Sequence, residues 1–579
     1  MGPASWLRDY RQRDFGSDLL ASLIVTIMLI PQSLAYAMLA GLPPETGLYA
    51  SMLPVLGYAL LGSSRVLAVG PVAVISLMTA SALANVSARH GVSTAEAAAL
   101  LALLSGAILS LLGVLRMGWI ANLLSHSVIS GFVSASAVLI ALGQLRHLLG
   151  IEAGGSTLVE LIPSLLVHAG AVHGWTLVLG VAALVLLVFS RTRMPALLRR
   201  VGFSASAALV IQRAAPVVAV IGSILAVMLA GLDARGVAVV GPVPGGLPPL
   251  GLPPMPVALV LELLVPALLL SLVGFVESIS IGQSLAMRRR QRVEPDRELL
   301  GLGAANLAAG LSAAFPVTGG FSRSVVNYDA GAVSPMAGLL TAVAMAGVAL
   351  VLTPAFHDLP RAVLAAVIIV SVVPLIDFGA MRRTFRTSPP DGLALMVTFV
   401  GVLLLGVEIG IAAGVGLALA IHLWRSSRPH MAIVGRVPGT EHYRNVARHA
   451  VQTSDRVLSL RIDESLYFAN ARYLEDRILE LVTDRPEITD LVLLCSAVNG
   501  IDGSAIESLA SINDRLDVAG VRLHLSEVKG PVMDVLRRTD LPDRLSGRIF
   551  FTQHEAVRVL TGEGPEAGRA PLDGHGDGI

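Results

Sequence analysis

The chain holds 579 residues, 54% of them hydrophobic and 14% charged, with a mean hydropathy of +0.73. A soluble domain carries about 25% charged residues, so this composition excludes a purely soluble protein. The net charge of +1 gives no electrostatic case for nucleic acid, and the single cysteine, Cys495, excludes a disulfide framework or a multi-cysteine metal site.

The N-terminus, MGPASWLRDYRQRDFGSDLL, places three arginines before an apolar run that continues through Pro31 to Met38. No small-residue cleavage site interrupts it, so it reads as a first spanning helix and not a signal peptide. Trp6 breaks a myristoylation pattern after the opening MG. A spanning helix needs roughly 20 mostly apolar residues. Spans are predicted at 19–41, 47–62, 70–84, 96–116, 120–146, 174–190 and 204–231. A second set is predicted at 257–286, 297–312, 320–330, 334–353, 357–374, 391–406 and 408–424. The third member of each set is short and follows Pro and Gly, in VGPVAV and FPVTGG. Interrupted segments in matching positions of two halves mark an inverted-repeat transporter and its binding site. Unpaired backbone groups at such helix starts are tolerated only where protein or a wet cavity satisfies them.

Basic clusters at Arg8–Arg13, Arg191–Arg200, Arg288–Arg292, Arg382–Arg386 and Arg425–Arg428 all fall on the N-terminal side of this topology. The positive-inside rule then places both termini in the cytoplasm. After about residue 430 charges become frequent and apolar runs shrink. RVLSLRIDESLYF alternates as a strand, NARYLEDRILELV has helical spacing, and ITDLVLLCSAV reads as a buried strand holding an inert Cys495. Residues 503–518 read as a helix, VRLHLSEV as a strand and PVMDVLRRTDL as a helix, an alternation that indicates a small α/β domain. The expected division is a cytoplasmic N-terminal segment 1–18, a transmembrane domain 19–426, a linker 427–447, the α/β domain 448–562 and a disordered tail 563–579.

Two charged residues stand out inside the apolar runs. Arg323 falls in the first turn after FPVTGG, where a half-helix N-terminus offers free N–H groups and about half a positive charge. Gly319 and Gly320 let the backbone approach an anion, and Ser322 and Ser324 offer hydroxyls. An intramembrane charge is a functional-site hypothesis by default; the alternative is a structural ion pair with Glu277. Glu277, in GFVESISIG, has no cation near it in sequence. Low dielectric favours a neutral carboxyl, so this residue is a candidate proton carrier whose protonation would cancel repulsion of an arriving anion. Glu262 and Glu408 lie near span ends and read as interfacial or inter-helical, and Asp329 reads as a helix cap.

IPQSLAYAMLAGLPPETGLYAS (30–51), GSSR (62–65), VGPVAVISLM (69–78), FSRS (321–324) and the C-terminal α/β segment together resemble the SulP family of anion transporters, which includes prestin. The match covers nearly the whole chain, with the C-terminal segment similar to a STAS domain. The resemblance implies a polytopic α-helical fold of about 14 spans as a 7+7 inverted repeat with two half-helices. It also implies core and gate subdomains that move against each other, and often a homodimer. Residue by residue it implies substrate contacts at Gln32, Tyr36, Val72, Phe321 and Ser322. Gln32 and Tyr36 have the i, i+4 spacing of one helix face. Some relatives carry an aromatic where this chain has Val72, leaving the pocket roomier. Sodium-coupled members pair an acid with hydroxyls; Ile281 and Phe321 near Glu277 disfavour that arrangement here.

In STAS domains of the anti-sigma antagonist type a D-x-S-[GA] loop carries a phosphorylated serine. Asp502, Gly503, Ser504 and Ala505 fit that pattern, making Ser504 a candidate phosphosite for a cytoplasmic regulator. The ordinary alternative is that Ser504 caps the helix in a box with Glu507. The leading expectation is proton-coupled sulfate uptake by alternating access in a bacterial-type inner membrane. A bicarbonate or dicarboxylate carrier and an uncoupled anion channel are the alternatives. No cofactor, no metal and no enzymatic constellation are expected: no H-E-x-x-H, G-x-S-x-G or Walker A motif appears in place.

Overall fold

The computed structural model describes residues 6–562 apart from Asn85, Leu123 and Leu124; the expected disordered tail at 563–579 lies outside the described residues. The chain divides into two compact units, Met1–Ala418 and Leu419–Ile579.

In the first unit each predicted span overlaps helix among the described residues. Among the described residues eight helices are long and apolar enough to cross a membrane, and four shorter apolar ones accompany them. The first long helix, Gln12–Leu39, begins earlier than its apolar run and passes through Pro31. The second stretch breaks into Pro44–Tyr49 and Leu53–Leu61, where each proline falls in a first turn that has no backbone donor to lose. Several further helices were not expected, among them two of ten residues each. Leu158–Val167 is short, and Phe378–Thr387 is a strongly amphipathic segment that gathers Arg382, Arg383 and Arg386. Asp377 starts the latter by accepting a 2.7 Å hydrogen bond from the Ala380 N–H.

The two short segments have matched architecture. Pro71 and Pro316 deny the backbone a donor and hold the residue before them extended. Two-residue strands, β1 (Val69–Gly70) and β2 (Thr318–Gly319), then pair antiparallel, with Val69 opposite Gly319 and Gly70 opposite Thr318. Each leads into a half-helix, Ala73–Ala82 and Phe321–Asp329, with Val72 and Gly320 at the N-cap positions. Strand pairing therefore satisfies backbone groups that neither interrupted helix can satisfy alone.

Side chains fasten this crossing. Asn306, fully buried, donates from Nδ2 to the carbonyls of Leu302 and Val317 and accepts from the Val317 N–H, each at 2.9 Å. Ser278 Oγ accepts from the Gly319 N–H at 2.9 Å and shares a 2.7 Å bond with Thr318 Oγ1. Glu298, also fully buried, accepts from Tyr58 OH (2.7 Å), Ser63 Oγ (2.7 Å), Ser63 N–H (2.8 Å) and Ser64 N–H (2.9 Å). A buried charge is tolerated when donors surround it in this way. Glu298 thus explains GSSR, whose serines tie the stretch before β1 to the helix Pro295–Leu311. That helix lies very close to Thr94–Val114: a Cβ on Gly106 would sit 2.5 Å from the Leu307 nitrogen, so only glycine permits the approach.

The second unit is a six-stranded sheet in the order β4-β3-β5-β6-β7-β8. The strands are β3 (Met431–Arg436), β4 (Tyr443–Asn445), β5 (Val457–Ile462), β6 (Asp490–Leu494), β7 (Arg522–Ser526) and β8 (Ile549–Phe550). β5 to β8 are mutually parallel, and β3 runs antiparallel to both β4 and β5. The expected linker at 427–447 is therefore corrected. MAIVGR alternates half-buried and buried positions and joins the sheet, burying Ala432 and Val434 with Tyr443 and Leu494.

Candidate functional site

The second half-helix carries its polar residues on different faces, and the structure sorts them. Arg323 is 3% exposed, and its Nη1 and Nη2 have no hydrogen-bond partner among the described residues. It lies where the strands cross: a Cβ placed on Gly70 would be 3.2 Å from Nη1, and one on Gly320 would be 2.9 Å from Nη2. Neither added methyl could be accommodated without moving the guanidinium. Ser324, by contrast, is turned from the site. It is fully buried and its hydroxyl accepts from the Ala68 N–H at 2.9 Å, fastening the second half-helix to the stretch before the first. Asn327 does the same by donating to the Val66 carbonyl at 3.1 Å.

One cavity of about 300 Å³ gathers Gln32, Tyr36, Val72, Glu277, Phe321, Ser322 and Arg323. These are the residues singled out in the sequence, without Ser324. Gln32, Tyr36 and Val72 are buried, whereas Phe321 and Ser322 are exposed, so the cavity opens past the start of the second half-helix. Glu277 Oε2 has no hydrogen-bond partner among the described residues, and no ion pair joins Glu277 to Arg323 there. The structural ion pair entertained as an alternative is absent from the described residues. A buried cation and a buried carboxyl thus face one chamber with unused hydrogen-bonding capacity, an arrangement suited to an anion and a proton.

Sequence reasoning missed Arg191. In sequence it belongs to a basic cluster at a helix end, but it lines this cavity from the last turn of Gly174–Thr192 and donates to the Val370 carbonyl. An adjoining pocket of about 150 Å³ shares Gln32, Arg191 and Ser322 and adds Arg213. Asp329 is corrected as well. It is the last residue of its half-helix and forms no cap; it pairs with Arg213 Nη2 at 3.0 Å. Glu262 is inter-helical, bonded to Arg89 and His90 at 2.6 Å each.

In the second unit Ser504 is exposed in the first turn of Gly503–Val518 but does not cap it. Asp502 is the N-cap, one oxygen accepting from the Ala505 N–H and the other from the Phe468 N–H, both at 2.9 Å. Asp wins because its position one residue before the helix leaves a carboxylate facing the first-turn donors. Cys495 is buried, and burial pushes its thiol up to about 12, consistent with an inert core position. Burial works against the charge of Asp490, yet hydrogen bonds from His524 and Thr489 and the charge of Arg522 hold its carboxyl below the usual range.

A helical membrane unit with a buried arginine at two crossed half-helix starts, joined in one chain to a small α/β domain, defines the class of a polytopic anion transporter. The Sulfate permease family matches residues 15–398, and the STAS domain matches residues 448–556. The chain is 36% identical over 573 residues to Sulfate transporter 4.1, chloroplastic, of Arabidopsis thaliana, covering 96% of this chain and 81% of that protein. It is 33% identical over 574 residues to High affinity sulfate transporter 2 of Stylosanthes hamata, covering 95% and 85%. In fold it is similar to murine Slc26a9, with a TM-score of 0.86 at 23% identity over 96% of this chain and 93% of that one. The chain belongs to the sulfate permease family and carries its C-terminal STAS domain.

Proposed function

We propose that this chain takes up sulfate by proton symport, with Arg323 and the two half-helix N-termini binding the anion and Glu277 carrying the proton. The observation that carries the reading is the buried Arg323 guanidinium, whose two terminal nitrogens have no partner among the described residues. Stripping a guanidinium of water without replacement is costly, and an oxyanion accepting from both nitrogens offsets that cost. Gln32 and Ser322 offer further donors, Tyr36 a phenolic hydroxyl, and Val72 and Phe321 shape the walls. Protonation of Glu277 removes a negative charge from the chamber before a dianion enters. The names of the plant relatives support sulfate as the substrate.

In this reading the helices form fourteen crossings in two inverted sets of seven. The antiparallel pairing of β1 with β2 supports this, being the contact that a two-fold axis in the membrane plane would generate. The half-helices move together past a gate that includes Gly174–Thr192. Both termini face the cytoplasm of an inner membrane, and two copies form the working dimer. Ser504, exposed at its helix start, is the point at which a cytoplasmic regulator would act on the STAS domain.

The test is uptake of labelled sulfate into proteoliposomes with and without an inward proton gradient. The gradient should accelerate wild-type uptake. Glu277→Gln should keep sulfate counterflow and lose the acceleration. Charged hydrogen bonds contribute about 1.5–3 kcal/mol each, so Arg323→Ala should weaken sulfate binding by at least about a hundredfold in folded protein. Uptake indifferent to the gradient overturns the role of Glu277, and undiminished affinity in Arg323→Ala overturns the site.

A further inference from the structure

Around the cavity and its adjoining pocket the titratable and charged side chains are Tyr36, Arg191, Glu277, Arg323 and Arg213, with Asp329 against the last. Their charges divide unevenly. Arg213 is neutralised by Asp329 at 3.0 Å, so it adds little net charge. Tyr36 is neutral. Arg323 and Arg191 then supply two positive charges, and Glu277 removes one of them when ionised. The chamber walls between these groups are largely apolar, with Val72, Val74, Val325, Val372, Pro374 and Leu375 lining them. Such walls leave net charge poorly screened, so the valence of an entering ion must match the fixed charge around it.

Resting on the transport reading above, we infer that Arg191 is the residue that sets substrate valence: with Glu277 protonated, Arg191 and Arg323 together balance a dianion, and either charge alone suits a monoanion. The two arginines are not equivalent. Arg323 is buried and belongs to the second half-helix; Arg191 is exposed at the cavity mouth and belongs to Gly174–Thr192. Arg191 reaches the chamber with one guanidinium nitrogen held on the Val370 carbonyl, leaving the remaining donors of a five-donor fork for an oxyanion. Water at the mouth weakens its effect relative to Arg323. Its contribution is therefore discrimination between anions of one shape and two charges.

Sulfate and perchlorate are tetrahedral oxyanions of similar size and different charge, and their affinities for the purified full-length protein can be compared by calorimetry. Arg191→Gln should weaken sulfate about tenfold while changing perchlorate by less than about threefold. Arg191→Lys should restore most of the sulfate preference, because it restores the charge. Glu277→Gln should shift the ratio the other way, toward sulfate at every pH. A purely structural arginine, acting through Val370, would lower both affinities together, and that result overturns the inference. An unchanged ratio in Arg191→Gln overturns it equally, while leaving the transport reading intact if Arg323→Ala still weakens sulfate binding by about a hundredfold. Wild-type protein that binds neither oxyanion overturns both.

Discussion

The two half-helices meet at the same place and bring different things to it. Ala73–Ala82 reads AVISLMTASA and carries no charge; it offers an N-terminus and nothing stronger. Phe321–Asp329 reads FSRSVVNYD and supplies a full charge in its first turn. It also supplies the scaffold, since Ser324 and Asn327 hold the backbone at Ala68 and Val66 on the approach to the other half-helix. Matched architecture therefore does not mean shared work. One segment carries the charge and braces, and the other is braced.

The largest effect expected from breaking this arrangement comes at the strand crossing. Gly320→Ala places a methyl 2.9 Å from Arg323 Nη2. Gly70→Ala places one 3.2 Å from Nη1 and strains a backbone at φ +155°. Displacing the guanidinium should cost charged hydrogen bonds of about 1.5–3 kcal/mol each, a loss of sulfate affinity of roughly 10- to 100-fold by calorimetry. Unaltered affinity in both variants would mean that Arg323 does not work from between the strands.

A smaller effect separates the two serines beside Arg323. Ser324→Ala removes the partner of the half-buried Ala68 N–H, costing about 1 kcal/mol of stability with little change in affinity. Ser322→Ala should do the opposite, altering affinity while leaving the melting temperature in place. If Ser324→Ala lost binding with unchanged stability, the division between bracing and binding would fail. The smallest effect falls on the matching position of the other half-helix. Ser76, like Ser324, stands four residues after its N-cap, but its buried hydroxyl has no partner among the described residues. Ser76→Ala should change stability by no more than about 0.5 kcal/mol, or raise it slightly. A loss as large as that of Ser324→Ala would show that the two segments brace each other.

Much of this was legible because lipid makes strong demands on sequence. Long apolar runs located the helices, and Pro-Gly interruptions located the half-helices, since few other residues break a helix in that way. Arg323 and Glu277 were visible because charges inside apolar runs are rare. What stayed hidden depended on partners distant in the chain. Glu298 looked like any acid in a first turn, and its four donors lie more than 230 residues earlier. Arg191 resembles the other arginines at helix ends, and only the structure shows its bond to the Val370 carbonyl and its place in the chamber wall. Ser504 and Asp502 were both good caps by type, so composition could not choose between them. β3 is hard to read from sequence because MAIVGR is only six residues long and its place in the sheet is set by its partners β4 and β5.

The pairing of β1 with β2 also has a bearing on synthesis. The first half-helix leaves the ribosome about 250 residues before its counterpart, a delay of roughly 12–50 s at 5–20 residues per second. During that interval Gly70, the Ala68 N–H and the Val66 carbonyl have none of their final partners. The nascent chain must keep this polar gap shielded inside the bilayer or at its edge until residue 327 arrives. Insertion machinery that holds early segments out of lipid would therefore matter more for this protein than for a bundle of uninterrupted spans. Truncation before the second half-helix should leave a product recognised as unfinished.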